Sequence, residues 1–219
     1  MHTERDSNNG ETVQAFQFGT QEVQICIPDT DKVKEQYYHR LQRNELTPFP
    51  YWAQVWPASI AICRFINAHT HFVYGKKVLE LAGGLGLPSM LSAKYAERVI
   101  VSDYAFEAVF FQNKSIDRNQ LKNISCVQLN WHTLPDHLDA DLILLSDINY
   151  DPIEFETIYA VLLRFINQGS TIIISTPQRI QGRDFLELLM PLCSWQEEIT
   201  VTHLDQQVAV TILVLEPAT

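Results

Sequence analysis

Between Lys77 and Ser175 the sequence alternates short apolar runs with amphipathic stretches of helix length. Val78–Leu81, Arg98–Ser102, Ser125–Leu129, Leu142–Leu145 and Thr171–Ser175 are rich in Val, Ile and Leu and too short for buried helices. A glycine-rich turn and a helix to about Ala96 follow the first run. Phe106, Val109, Phe110 and Ile116 mark a helix behind the second. Ile158, Val161, Leu162, Phe165 and Ile166 form a 3.6-residue stripe that stops at Gly169. Its start, Asp151-Pro152-x-Glu154, reads as a cap with proline in the first turn and an acidic residue reaching back. Apolar runs each followed by a helix predict a parallel sheet covered on both faces, an α/β fold. After a helix near Phe185–Leu192 the rhythm changes. Trp195–Thr202 and Val208–Leu215 read as an antiparallel hairpin around the polar turn His203–Gln207.

The N-terminal part has a different pattern. Thr12–Phe18 and Glu22–Ile27 predict a β-hairpin across Gly19-Thr20-Gln21, behind a loose polar tail, Met1–Gly10. Asp29-Thr30-Asp31 supplies caps for a charged helix to about Arg43, which Thr47-Pro48-Phe49-Pro50 breaks. A second helix runs from Trp56-Pro57 to about Ala68. Residues 1–73 are expected as a hairpin and helical extension of a core spanning 74–219, within one domain.

With 46 % apolar residues the chain can bury a substantial core. Its 26 acidic against 16 basic side chains argue against a protein that tracks nucleic-acid phosphates, and leave open a basic partner or cationic ligand. No apolar run approaches the ~20 residues of a membrane helix. Cys26, Cys63, Cys126 and Cys193 are widely spaced among apolar neighbours, which suits buried thiols in a reducing cytoplasm.

The strongest local signal is Glu80-Leu81-Ala82-Gly83-Gly84-Leu85-Gly86. Glycines between strand and helix let a ligand approach the backbone closely. Glu80, at the strand end, would repel a diphosphate and attract an ammonium or sulfonium group. Asp103 ends the second strand, where a carboxylate either accepts both hydroxyls of a ribose or caps the next helix. Asn130 and Trp131 end the third strand. There an amide can read an adenine edge and an indole can cover the ring; the alternative is an indole serving as core filler.

Glu80, Gly84, Gly86, Asp103 and the closing hairpin resemble the seven-strand S-adenosylmethionine-dependent methyltransferases, over a span from about Tyr51 to the C-terminus. The resemblance implies a Rossmann-like seven-stranded, mostly parallel sheet and S-adenosyl-L-methionine as cofactor. It implies a cofactor site made from Trp56, Glu80, Ala82, Gly84, Gly86, Asp103, Tyr104, Asn130, Trp131 and Asp147. Ala82 departs from the pattern, standing where the family usually carries its first glycine.

Ser146-Asp147-Ile148-Asn149-Tyr150-Asp151 ends the fourth strand. Its D-x-x-Y pattern is similar to that of the protein-lysine methyltransferases that include the electron-transfer-flavoprotein β-subunit and valosin-containing-protein enzymes. Pro50–Ser59 looks like the same family's W-P/A segment, which folds over the cofactor. The N-P-P-Y motif of adenine and glutamine-amide methyltransferases is missing, which disfavours a planar nitrogen acceptor. The resemblance implies Asp147 and Tyr150 as catalytic residues. Asp147 would orient the cofactor's amino group or the incoming lysine, and Tyr150 would align the nitrogen. The acceptor would be an accessible lysine on a cytoplasmic protein partner, with neither nucleic acid nor membrane involved. Neutralising a lysine at pH 7 costs about 4.6 kcal/mol from its ordinary pKa of ~10.4. A desolvating collar of Trp52, Trp56 and Tyr150 would lower that cost. Two alternatives stay open, a nicotinamide-like small-molecule N-methyltransferase and a non-catalytic cofactor-binding module. Lys32, Lys34, His39, Arg40 and Arg43 read as a solvated helix face, and His69, His71, His132 and His137 as surface residues. Pro177 and Gln178 are placed by position alone beside an acceptor cleft.

Overall fold

The computed structural model describes residues 3–5, 11–177 and 182–217. The chain opens with a three-stranded antiparallel sheet of β1 (Thr3–Arg5), β2 (Thr12–Phe18) and β3 (Gln21–Ile27). Part of the tail expected to be loose is therefore ordered. Thr3–Arg5 pairs with Thr12–Gln14, because the open edge of β2 offers backbone partners that composition does not reveal. Gln178 lies outside the described residues, as does most of that tail.

Helix α1 (Thr30–Gln42) starts on Asp29, whose carboxylate accepts the Lys32 amide at 3.1 Å, and it buries none of its residues. Helix α2 (Pro57–Ala68) starts at Trp56 with proline in its first turn and is buried along most of its length. The large sheet then forms from β4 (Lys77–Glu80), β5 (Arg98–Asp103), β6 (Ile124–Gln128), β7 (Leu142–Ser146) and β8 (Thr171–Pro177). A long hairpin, β9 (Cys193–His203) and β10 (Gln206–Leu215), closes it. Strand order is β6-β5-β4-β7-β8-β10-β9, parallel from β6 to β8, with β10 antiparallel to both neighbours. The hairpin turn is tighter than the pattern indicated. His203 pairs with Gln206, and Leu204 and Asp205 carry the left-handed φ values of 48° and 60° that a two-residue turn needs.

Strands β4, β5 and β6 step outward in one direction, and β7 returns to the other side of β4. The chain reverses there, and ligands of open α/β sheets bind in the crevice at the carboxyl ends beside such a point. Helices α3 (Leu87–Ser92), α4 (Phe106–Arg118), α5 (Phe155–Asn167) and α6 (Arg183–Leu189) connect and cover the strands. Phe16, Val23 and Ile25 of the N-terminal hairpin enter the same apolar cluster as Ile62, Leu142 and Ile173, so hairpin and sheet share a core. A second cluster on the other face gathers Leu79, Ile143, Leu162, Phe165 and Phe185.

Two helices are shorter than their patterns suggested. α3 ends at Ser92 and not near Ala96, because Lys94 and Tyr95 tighten onto the carbonyls of Leu91 and Ser92. α6 ends at Leu189, followed by a 3-10 turn at Met190–Leu192 that contains Pro191. The start of α5 also differs. Asp151 accepts the Ile153 amide at 3.1 Å and initiates a 3-10 turn, but Glu154 turns away to other partners. Cys26 and Cys63 are buried, whereas Cys126 and Cys193 are half-buried.

Candidate active site

The turn after β4 contains three consecutive demands on backbone geometry. Ala82, Gly84 and Gly86 all sit at positive φ, 51°, 56° and 75°. Glycine meets that demand without cost, and Ala82 occupies it at a strain of roughly 1–2 kcal/mol. A Cβ at Gly84 would lie in contact with the Trp52 backbone, 3.4 Å away, so the Pro50–Ser59 segment closes directly over the turn.

Asp103, 4 % exposed, clamps this turn. Its Oδ2 accepts the Gly84 amide and its Oδ1 the Ala105 amide, each at 2.9 Å. The bond to Ala105 is a local turn and not a helix cap, since Ala105 is itself the N-cap of α4 and no side chain among the described residues caps that helix. The ribose reading stays open, because each oxygen retains a lone pair and the residue lines the cleft. Burial pushes its pKa up, against the pull of the Ala105, Gly84 and Tyr104 amides. From α4, Gln112 donates to the Gly84 carbonyl at 2.8 Å. The sequence carried no signal for Gln112, since a buried glutamine on an amphipathic helix looks like any polar residue.

Glu80, expected to meet the ligand, does not line the cleft. It is fully buried beneath the turn, away from the cleft wall, with Oε2 accepting the Ser89 amide at 3.0 Å. Burial pushes its carboxyl up to about 8, opposed by Ser89. Ser102 serves the same region by donating from Oγ to the Glu80 carbonyl.

Opposite the glycine turn stands the loop after β7. Asp147, 8 % exposed, takes a left-handed φ of 55° and donates its amide to the Ser175 carbonyl at 2.8 Å. Tyr150 follows at the mouth, 36 % exposed, its ring 4.9 Å from that of Tyr51. Burial pushes its phenol up to about 12, with Tyr104 and Asp103 adding to the effect, so Tyr150 keeps its proton at neutral pH. Trp56 is held by an indole hydrogen bond to the Tyr51 carbonyl at 2.7 Å, and Trp52 stacks on Phe111.

These parts enclose a cleft of about 930 Å³, open mouth included, whose walls include Trp52, Trp56, Ala82, Gly84, Gly86, Asp103, Tyr104, Trp131, Asp147 and Tyr150. An adjoining space shares Tyr51, Ala82, Tyr104, Trp131 and Tyr150 with it and adds Asn130, Asp151 and Glu154. Asn130 faces only this second space, and its side-chain oxygen also accepts the His132 amide. The Trp131 indole donates to Glu154 at 2.9 Å, which sets its ring in the wall between core and cleft. Thus, of the predicted site residues, all but Glu80 and Asn130 line the main cleft, and Asn130 lines the space adjoining it. Pro177 lines neither space. Ser146, Tyr51 and Gln54 also line the cleft; they lie within the sequence motifs, which assign none of them a cofactor or catalytic role.

The donor set suits a nucleoside carrying a cationic sulfur. Among the described residues neither space is lined by Lys or Arg, while Asp103, Asp147, Asp151 and Glu154 contribute carboxylates. Tyr104 and Trp131 offer flat faces for a base. The Ser146 hydroxyl on the wall is buried without a hydrogen-bond partner among the described residues.

Comparison with known proteins agrees with this chemistry. Residues 39–191 match the family model described as lysine methyltransferase. The chain is 29 % identical over 174 residues to the histone-arginine methyltransferase METTL23 of Xenopus laevis, covering 76 % of this chain and 74 % of that protein. It is 31 % identical over 149 residues to the electron transfer flavoprotein beta subunit lysine methyltransferase of Danio rerio, covering 65 % and 57 %. It thus spans little more than half of that relative. Among solved structures, a 16S rRNA methyltransferase of T. thermophilus in complex with AdoMet and guanosine superimposes with a TM-score of 0.65 at 14 % identity, over 94 % of this chain and 50 % of the other. The chain belongs to the lysine methyltransferase family and is an S-adenosylmethionine-dependent methyltransferase.

Proposed function

We propose that this enzyme methylates a side-chain nitrogen of a protein, and that the nitrogen is a lysine ε-amine. The observation that carries the reading is the charge of the paired clefts: carboxylates and aromatic rings, with His132 beside Glu154 and no lysine or arginine among the described lining residues. A protonated lysine is drawn to such a mouth, and the phosphates of an RNA acceptor are repelled.

Asp103 and the Gly84–Gly86 turn would hold the nucleoside, and Tyr104 and Trp131 its base. When bound, S-adenosylmethionine supplies a methyl group activated by a positive sulfur. The chain's own contribution is alignment, because an in-line displacement gains most from fixed geometry. Tyr51, Trp56 and Tyr150 would desolvate the incoming ammonium and ease its deprotonation. Tyr150 retains its proton and can donate a hydrogen bond. Asp147 orients the incoming lysine amine from the opposite wall. The ammonium proton leaves to solvent through the open mouth. We assign the enzyme to the cytoplasm, on its four free thiols, two buried and two half-buried.

A second reading, an arginine guanidinium, is favoured by the name of the METTL23 relative. Incubation with methyl-labelled cofactor and a lysate lacking the gene, followed by mass spectrometry, tests both. Label on lysine is expected. Label on arginine selects the second reading, and label only on small molecules overturns the protein acceptor.

A further inference from the structure

Asn149 sits between Asp147 and Tyr150 and is 1 % exposed. Its Oδ1 accepts a hydrogen bond from the Thr176 hydroxyl at 2.7 Å. On its other side the amide packs against Gly182, where an added Cβ would come within 2.2 Å of Nδ2. The preceding link is also to β8, since the Asp147 amide donates to the Ser175 carbonyl at 2.8 Å. Consecutive residues of β8, Ser175 and Thr176, therefore hold both ends of a three-residue turn. Asp147 in that turn has a left-handed backbone that an untethered residue would readily leave.

Nothing in a D-x-x-Y pattern requires a polar residue at this place, and burying an amide costs free energy unless it is hydrogen-bonded. We infer that Asn149 is a positioning residue for methyl transfer: through Thr176 it fixes the aim of Asp147 and Tyr150 across the cleft. It touches neither reacting group. The inference rests on the acceptor-side roles proposed above for Asp147 and Tyr150. Gly182, the first described residue of the α6 approach, belongs to the same device, because only glycine leaves room for the amide. The consequence is large for a small displacement, since about 1 Å of misplacement can cost roughly 10²-fold in rate.

Thr176→Val preserves shape and removes the donor, whereas Thr176→Ser keeps it. Transfer of labelled methyl to the gene-deleted lysate, at fixed lysate and varied cofactor, should show an apparent kcat lowered roughly tenfold or more in Thr176→Val. The KM for cofactor and the calorimetric Kd should stay within about twofold, because the glycine turn is untouched. Thr176→Ser should restore the rate. Hydrogen exchange at the amides of residues 148–151 should quicken roughly tenfold in Thr176→Val and in Gly182→Ala, and not in Thr176→Ser. An unchanged rate, or a Kd that weakens in step with kcat, overturns the positioning role. Should wild type label no polypeptide, the acceptor reading fails on its own. Exchange then decides separately, and unchanged exchange overturns the tether.

Discussion

Asp103 and Gly84 are joined across the first two strand tips by a 2.9 Å hydrogen bond, carboxylate to amide. The residue that faces the proposed nucleoside site is thus also the residue that shapes the turn beside it. Asp103→Asn should therefore affect binding twice. One amide loses its acceptor, and the negative charge facing a cationic ligand is gone. A hydrogen bond to a charged group is worth about 1.5–3 kcal/mol, so the calorimetric Kd for S-adenosylmethionine should rise roughly 10- to 100-fold. Binding within about twofold of wild type would refute the clamp.

Ala82 stores backbone strain at φ 51°. Ala82→Gly relieves roughly 1–2 kcal/mol of it, and gives back part through the entropy of the unfolded chain. A net gain of about 0.5 kcal/mol is expected in urea titration. Loss of stability would mean that the methyl packing against its neighbours outweighs the strain.

Glu80 makes stability depend on pH in a defined direction. The unfolded chain releases this proton near 4.5 and the folded protein near 8. Between those values the folded state binds more protons, so stability falls as pH rises through the window. Glu80→Gln keeps an acceptor for the Ser89 amide and removes the titration. Denaturant midpoints of the variant relative to wild type should therefore climb from pH 5 to pH 8. Parallel curves would place Glu80 ionised throughout.

Asp147→Asn retains a residue tolerant of left-handed φ, and Tyr150→Phe retains the ring. Each should lower kcat/KM for the labelled polypeptide roughly tenfold or more, the cost of one lost charged or aligned hydrogen bond. Thermal midpoints should shift by only about 2 °C. Undiminished transfer by both variants would remove these residues from the mechanism.

The clefts were legible in the sequence where a residue's job is local. A strand tip followed by glycines, a carboxylate at the next tip and an aromatic four places into a loop are visible in a short window. Asp103, Gly84, Gly86, Asp147 and Tyr150 all lie where those windows put them. Glu80 does not, because a carboxylate at a strand end reads the same whether it faces the crevice or lies beneath the turn. Gln112 and Asn149 escaped for a related reason: their importance lies in bonds to Gly84 and Thr176, 28 and 27 residues away.

Sequence periodicity alone established the alternation of strands and helices, the hairpin at each end and the residues at each strand tip. Those features follow from side-chain spacing and turn chemistry, which act over a few residues. Only the tertiary structure decided that β10, and not β9, lies against β8, that Thr3–Arg5 adds to β2, and that the Trp52 backbone closes on Gly84. Each of these is a pairing between distant segments, settled by competition among many alternative partners for the same backbone groups and the same buried space.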